Sequence, residues 1–113
     1  MANRDLVGIF AVNLITAQGA VAALREAGAT DKVTLIGFDA SPTLAQALRD
    51  GSVDGLLSQR PRELGAEAIS MAVAYLDGKR DFERQQIRPP FLLTAANIDT
   101  PEGMAAQYVA ACN

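Results

Sequence analysis

The chain has 113 residues, a net charge of −3 at neutral pH, 50% hydrophobic residues and 20% charged residues. This size fits one domain, and the balance is typical of a globular chain. Histidine and tryptophan are absent, and Cys112 is the single cysteine. The composition therefore excludes a histidine-dependent nucleophile or general base, a histidine-ligated zinc site and an intrachain disulfide. An acidic chain with 5% aromatic residues is also a poor candidate for nucleic acid, and we expect no such partner.

The sequence contains no apolar run of the roughly 18 residues needed to cross a membrane. Its first six residues, Met-Ala-Asn-Arg-Asp-Leu, contain no apolar signal-peptide core. That absence would indicate a cytoplasmic protein only if residue 1 were the true start of the gene product.

The first half of the chain alternates predicted strands and helices. The continuous apolar run Leu6–Val12 predicts a strand buried on both faces. Residues Ala17–Ala27 are rich in helix-forming residues and are followed by Gly28, a typical helix stop. The run Val33–Phe38 predicts a second buried strand.

The next unit repeats this order. Ser41-Pro42 is an N-cap followed by a first-turn proline, and the helix that it starts extends to Gly51. Val53–Ser58 predicts a third strand. Pro61 then starts a longer helix that ends near Gly78. The apolar residues of this helix follow a 3.6-residue period: Leu64, Ala68, Ile69, Ala72, Val73 and Leu76.

The last part of the chain begins with a stiff connector, Arg88-Pro89-Pro90. Phe91–Thr94 predicts a short final strand, and Thr100-Pro101 starts a last helix that extends to about Ala110. The alternation predicts an α/β fold with three αβα layers, a mainly parallel sheet and helices on both of its faces.

Each of the first three predicted strands ends in a polar residue, namely Asn13, Asp39 and Gln59. The carboxyl ends of parallel strands lie at one edge of the sheet, where open α/β sheets bind their ligands. Two amides and one carboxylate offer both donors and acceptors, which suits a neutral polyhydroxylated ligand. The structural alternative is that such residues cap helices or form turns, and Asp39 could cap the helix that starts at Pro42.

Other α/β sites fit the residues less well. A dinucleotide site needs a glycine-rich turn after the first strand, whereas the segment from Asn13 to Gly19 has one glycine. A P-loop is excluded because no Gly-Lys-Ser/Thr follows a strand. A phosphoacceptor receiver domain needs an acidic pair and a lysine near the positions that hold Asn13 and Gln59, so we expect no magnesium or other metal site. Arg60 and Arg62 lie beside the same edge and could contact a ligand or a partner, although solvation or pairing with a nearby acid such as Glu63 is the simpler expectation.

An ordered set of segments carries a resemblance to a family. The segments are Gly8-Ile-Phe-Ala-Val-Asn13, Gly37-Phe38-Asp39, and Leu44 to Gly51 followed by Val53-Asp-Gly-Leu-Leu-Ser-Gln59. Together they resemble the C-terminal lobe of the type I periplasmic sugar-binding proteins, with ribose-binding proteins as the nearest relatives. The resemblance implies that Asn13, Asp39 and Gln59 hydrogen-bond the hydroxyls of a sugar.

The resemblance also implies a function. A member of this family is the non-catalytic, cofactor-free substrate-binding component of an ABC-type sugar importer, acting with permease subunits in the periplasm. Its two lobes close on a monosaccharide or polyol, and this chain would supply the C-terminal part of the sugar-binding lobe. Residues 81–99 would then be a connector and hinge-crossing segment, and residues 100–113 a terminal helix. The alternative is the effector-sensing domain of a LacI-type transcription regulator, which shares the lobe.

The sequence departs from the family pattern in three ways, one of which is that the predicted helix from Thr100 to Ala110 extends beyond the usual end of the family. Leu14 stands where members often carry an acidic residue, which leaves the identity of the sugar open. The N-terminal lobe and the first strand-helix units of the C-terminal lobe are not in these 113 residues. We therefore expect an open sheet edge and uncovered apolar surface, which would favour association with the N-terminal lobe or self-association.

Overall fold

The computed structural model describes residues 3, 5–83 and 85–109, and Cys112 lies outside them. Strands and helices alternate along the chain, as predicted. The strands are β1 (Gly8–Ala11), β2 (Thr34–Phe38), β3 (Gly55–Ser58) and β4 (Phe91–Leu93). The helices are α1 (Leu14–Glu26), α2 (Pro42–Arg49), α3 (Pro61–Leu76) and α4 (Pro101–Ala106).

The four strands form one sheet in the order β1-β2-β3-β4. The first three are parallel, and β4 runs antiparallel to β3, with Leu57 opposite Leu92. The predicted α/β class with a mainly parallel sheet is confirmed.

Helices α1 and α2 pack on the same face of this sheet. Each crossover moves one strand in the same direction, and right-handed crossovers of that kind place successive helices on one side. The face beneath them forms the core, in which the largest fully buried side chains are Leu35, Leu44, Leu48, Leu56, Leu93, Ile98, Val53 and Ser58. Gly37 lies within this face, where a Cβ would come 2.9 Å from Leu56 Cδ2 and 3.2 Å from Ala17 Cβ.

The opposite face of the sheet is largely uncovered. Phe10 is 54% exposed and packs edge-on against Phe38, with ring centroids 6.4 Å apart, and Leu92 is 49% exposed. The prediction that the first strand is buried on both faces is therefore wrong, because β1 lies at the sheet edge and only its α1 side is covered. Likewise, the described helices α1 and α2 do not cover both faces. The exposed edge and apolar surface expected from the sequence are present.

Helix α3 has the predicted apolar period but no buried residue. Ile69, Val73 and Leu76 are 68%, 52% and 82% exposed. The Cα radius of gyration is 17.4 Å, whereas a globular chain of this length has about 13 Å. The apolar stripe of α3 is therefore available to a surface outside the described residues.

Two helix ends differ from their predicted positions. Helix α1 begins at Leu14 rather than near Ala17, because Asn13 and Thr16 form a reciprocal capping box. Helix α4 ends at Ala106 rather than near Ala110, because Gln107 adopts an extended backbone. The next amide, Tyr108 N, then donates to Ala40 O at 2.9 Å instead of continuing the helix.

We expect Gly37→Ala to lower the free energy of unfolding of the chain by about 1–3 kcal/mol, because the added methyl overpacks the core. Gly19→Ala is the matched control, since no heavy atom lies within 4 Å of its Cβ position inside α1. In this control, the free energy of unfolding should rise by up to about 1 kcal/mol, because alanine has a higher helix propensity than glycine. Urea denaturation followed by circular dichroism measures both, and equal effects of the two substitutions would contradict the packing described for Gly37.

Candidate ligand-binding site

The carboxyl edge of the sheet brings two of the three predicted site residues into contact. Asp39 follows β2 and Gln59 follows β3, and Gln59 Nε2 donates to Asp39 Oδ1 at 3.3 Å. The backbone amide of Leu14, the first residue of α1, donates to Asp39 Oδ2 at 3.2 Å. Asn13 directly precedes Leu14, so it lies next to the Asp39 carboxylate that the Leu14 amide contacts.

The backbone of Asp39 adopts a left-handed conformation, with φ of 74°. This conformation costs a non-glycine residue roughly 1–2 kcal/mol and is tolerated best by Asn and Asp. The Asp39 amide donates to Leu57 O at 2.8 Å, which ties the turn to β3. The turn directs the carboxylate toward the start of α1. The alternative that Asp39 caps α2 is wrong, because Ser41 Oγ accepts from Leu44 N at 3.3 Å and is the cap.

Asn13 combines a structural role with a free amide group. Its Oδ1 accepts from the Thr16 amide at 2.9 Å and from Thr16 Oγ1 at 3.1 Å, so the oxygen is committed to the cap. Within the described part of the chain, Asn13 Nδ2 has no acceptor, and the side chain is exposed. The structural alternative therefore holds for the oxygen of Asn13 and leaves its two N–H donors available to a ligand.

The structure adds Tyr108 to this edge, a residue that the sequence did not single out. The Tyr108 hydroxyl donates to Asp39 Oδ1. Burial, followed by the hydrogen bond to Asp39 and its charge, raises the pKa of Tyr108 above the ordinary value for tyrosine, so the phenol is neutral at physiological pH. The contact joins residues 69 positions apart, and no local sequence pattern marks it.

Arg60 lies between β3 and α3, at the point where the chain leaves the sheet. It pairs with Glu63 at 3.2 Å and with Glu102 at 3.0 Å, which confirms the expected pairing with Glu63. Its guanidinium also lies 4.7 Å from the ring centroid of Phe91, the first residue of the returning strand. The outgoing and returning segments flank a cleft of about 380 Å³, lined by Gln59, Arg60, Glu63, Leu64, Glu67, Arg88, Pro89, Pro90 and Phe91.

Within the described residues, no group of three or more acidic or cysteine side chains is arranged to hold a metal ion. In the same part of the chain, no helix has the length and apolar character to cross a membrane. The polar groups at the edge are the amides of Asn13 and Gln59, the carboxylate of Asp39 and the phenol of Tyr108.

Comparison with known proteins places this arrangement in a family. Residues 1–80 match the family described as periplasmic binding protein domain. The ribose import binding protein of Salmonella typhimurium is 35% identical over 79 residues, which make up 70% of this chain and 26% of that protein.

Solved structures extend the similarity across the fold. A solute-binding protein of an ABC transporter from Agrobacterium vitis, with bound D-fucose, has a TM-score of 0.87 and 31% identity. It covers 95% of this chain, which in turn covers 37% of it. A carbohydrate transporter solute-binding protein from Agrobacterium radiobacter, in complex with D-arabinose, has a TM-score of 0.85 and 36% identity, covering 95% of this chain and 36% of its own.

The chain thus spans about a quarter of the length of the curated relatives that it matches. The family match nevertheless covers residues 1–80 of the 113, and the fold agrees with that of the solved relatives. The chain belongs to the periplasmic binding protein domain family.

Proposed function

We propose that this chain is the C-terminal part of the sugar-binding component of an ABC-type importer. It holds a monosaccharide or polyol at the carboxyl edge of the sheet through Asn13, Asp39 and Gln59. The observation that carries the proposal is the convergence of Gln59 Nε2 and Leu14 N on the Asp39 carboxylate at that edge. The proposal is also supported by the relatives named above, which are a ribose import binding protein and two transporter solute-binding proteins with bound sugars.

The hydrogen-bonding groups at the edge complement sugar hydroxyls, each of which both donates and accepts. Asn13 contributes N–H donors because its oxygen is used by the α1 cap. Gln59 contributes its Oε1 acceptor because its amide nitrogen donates to Asp39. Asp39 contributes a charged acceptor, which forms the stronger class of hydrogen bond. This set suits a neutral polyol and does not suit an anion, since Asp39 is the central acceptor.

The unpaired surfaces of the chain support a two-lobed protein. Helix α3 has no buried residue, and the apolar face around Phe10 and Leu92 is exposed. In the proposal, the rest of the C-terminal lobe covers the sheet face, and the N-terminal lobe covers α3. The chain would leave the lobe at Gln59-Arg60 and return within the predicted connector 81–99, and these two segments are adjacent because Ser58 is paired with Phe91.

This arrangement gives the proposal a mechanism. A sugar bound at the Asp39 edge would draw the second lobe over it, and bending would be confined to the two crossing segments. The protein would release the sugar to ABC permease subunits from the periplasm, without catalysis. The LacI-type effector domain was the alternative from the sequence, and the relatives named above are transport proteins, which favours the importer.

We expect Asp39→Ala to weaken monosaccharide binding by the complete two-lobed protein a hundredfold or more. The loss of a charged hydrogen bond leaves sugar hydroxyls unpaired in the closed cleft, at a cost of about 3 kcal/mol. Isothermal calorimetry with D-ribose, D-arabinose and D-fucose measures the change. Asp39→Asn is tested in parallel, because asparagine tolerates the left-handed backbone at position 39 and removes only the charge and one acceptor oxygen.

The matched control is Asp50→Ala, which removes a carboxylate at the opposite end of α2, where Asp50 pairs with Arg25 at 2.8 Å. This exposed pair contributes at most about 1 kcal/mol to stability and lies away from the edge. Binding should be unchanged in the control. Unchanged affinity in both Asp39 variants would overturn the assignment of the site.

We also expect the 113-residue chain alone to bind these sugars only weakly, with dissociation constants in the millimolar range or above. One lobe supplies only one wall of the cleft, so most of the sugar surface stays in water. Titration of the ¹⁵N-labelled chain with each sugar, followed by NMR at the side-chain amides of Asn13 and Gln59, measures it. A micromolar complex with the isolated chain would contradict the two-lobed proposal.

A further inference from the structure

The last residue of α4 and the segment that follows it, residues 106–108, form hydrogen bonds with three other parts of the chain at the carboxyl edge. Ser58 Oγ donates to Ala106 O, and Tyr108 N donates to Ala40 O at 2.9 Å. Gln107 Nε2 donates to Ile98 O at 2.8 Å. The segment is therefore built into the lobe, and it places the Tyr108 side chain beside Asp39.

The hydrogen bonds at Asp39 nearly fill the acceptor capacity of its carboxylate. A carboxylate has about four lone-pair positions, two on each oxygen. The two on Oδ1 are used by Gln59 Nε2 and the Tyr108 hydroxyl, and Leu14 N uses one on Oδ2. One position on Oδ2 is left for a ligand hydroxyl.

We propose that Tyr108 is a positioning residue of the sugar site, which orients Asp39 so that only Oδ2 accepts from the sugar. This inference rests on the function proposed above. Without the phenol, Asp39 Oδ1 regains a free lone pair, and the carboxylate is held on that side only by the long 3.3 Å bond from Gln59. The carboxylate can then rotate and must be ordered again when a sugar binds, which lowers affinity.

The phenol keeps its donor role across the physiological pH range. Burial and the contact with Asp39 raise the pKa of Tyr108, so the hydroxyl proton is retained. Since Asp39 can only accept when ionised, the proton of Tyr108 is directed at Asp39, and its oxygen lone pairs face away from the carboxylate.

The first test needs no ligand. In the 113-residue chain carrying Tyr75→Phe, Tyr108 is the only tyrosine, and tyrosinate absorbance at alkaline pH reports its ionisation alone. We expect no ionisation step as the pH passes about 10, the ordinary tyrosine value. Adding Asp39→Asn should move ionisation to lower pH, but only part of the way, because burial, the largest cause of the raised pKa of Tyr108, remains. Ionisation near the ordinary value in both variants would overturn the contact.

The second test is sugar binding by the complete two-lobed protein, measured by calorimetry. Tyr108→Phe should weaken binding about tenfold, and in the Asp39→Ala background, which has no carboxylate to orient, it should add nothing. Tyr75→Phe is the control for loss of a tyrosine hydroxyl, and its affinity should match that of the unmodified protein.

The outcomes separate this inference from the proposed function. If the unmodified protein binds no sugar, the proposed function fails, and the role of Tyr108 fails with it. If the unmodified protein binds sugar and Tyr108→Phe binds equally well, only the positioning role fails. Tighter binding by Tyr108→Phe would also overturn it, because it would show that the phenol competes with the sugar for Asp39.

Discussion

The Asp39 carboxylate is the interaction on which the arrangement of the carboxyl edge depends. It receives hydrogen bonds from the first residue of α1, from the residue after β3 and from the segment after α4. Parallel strands bring the first two of these parts to the same edge, and hydrogen bonds to Ala40 and Ile98 bring the third there. The left-handed backbone at Asp39 is the cost of directing the carboxylate at all of them, and the bonds from three sides offset it.

The order of the strands explains why one face of the sheet is covered by helices and the other is exposed. Because β1, β2 and β3 follow one another in the sheet, α1 and α2 are placed on one face and bury Leu35 and Leu56. The other face keeps its own apolar side chains, such as Phe10, without a cover. The apolar stripe on α3 has helical spacing and is exposed along its length, so among the described residues it lacks a packing partner, as the Phe10 face does.

Much of the fold could be predicted because the residues that begin and end its helices act locally. Ser41-Pro42 and Pro61 begin helices where capping and proline chemistry place them. The meeting of Asp39 and Gln59 could be predicted as well, because parallel strands bring their carboxyl ends to one edge. The start of α1 was missed although Asn13 and Thr16 carried the capping signal in the sequence. That Asn13, Asp39 and Gln59 bind a sugar stays a prediction.

Tyr108 was beyond sequence reasoning for a different reason. Its contact with Asp39 arises only after α4 ends early and the chain turns back along the sheet, and both events depend on tertiary hydrogen bonds. The same bonds bear on how a two-lobed protein would work. Hinge closure would need a lobe that moves as one body, and the side chains that we propose bind the sugar are held by the core strands, α1 and the segment after α4 together. The segments that we propose leave and re-enter the lobe are held by the contact of Arg60 with Phe91 and by exposed ion pairs, which are weak. In the proposed two-lobed protein, bending would therefore cost least at those crossings, and the geometry around Asp39 could stay the same when the lobes close.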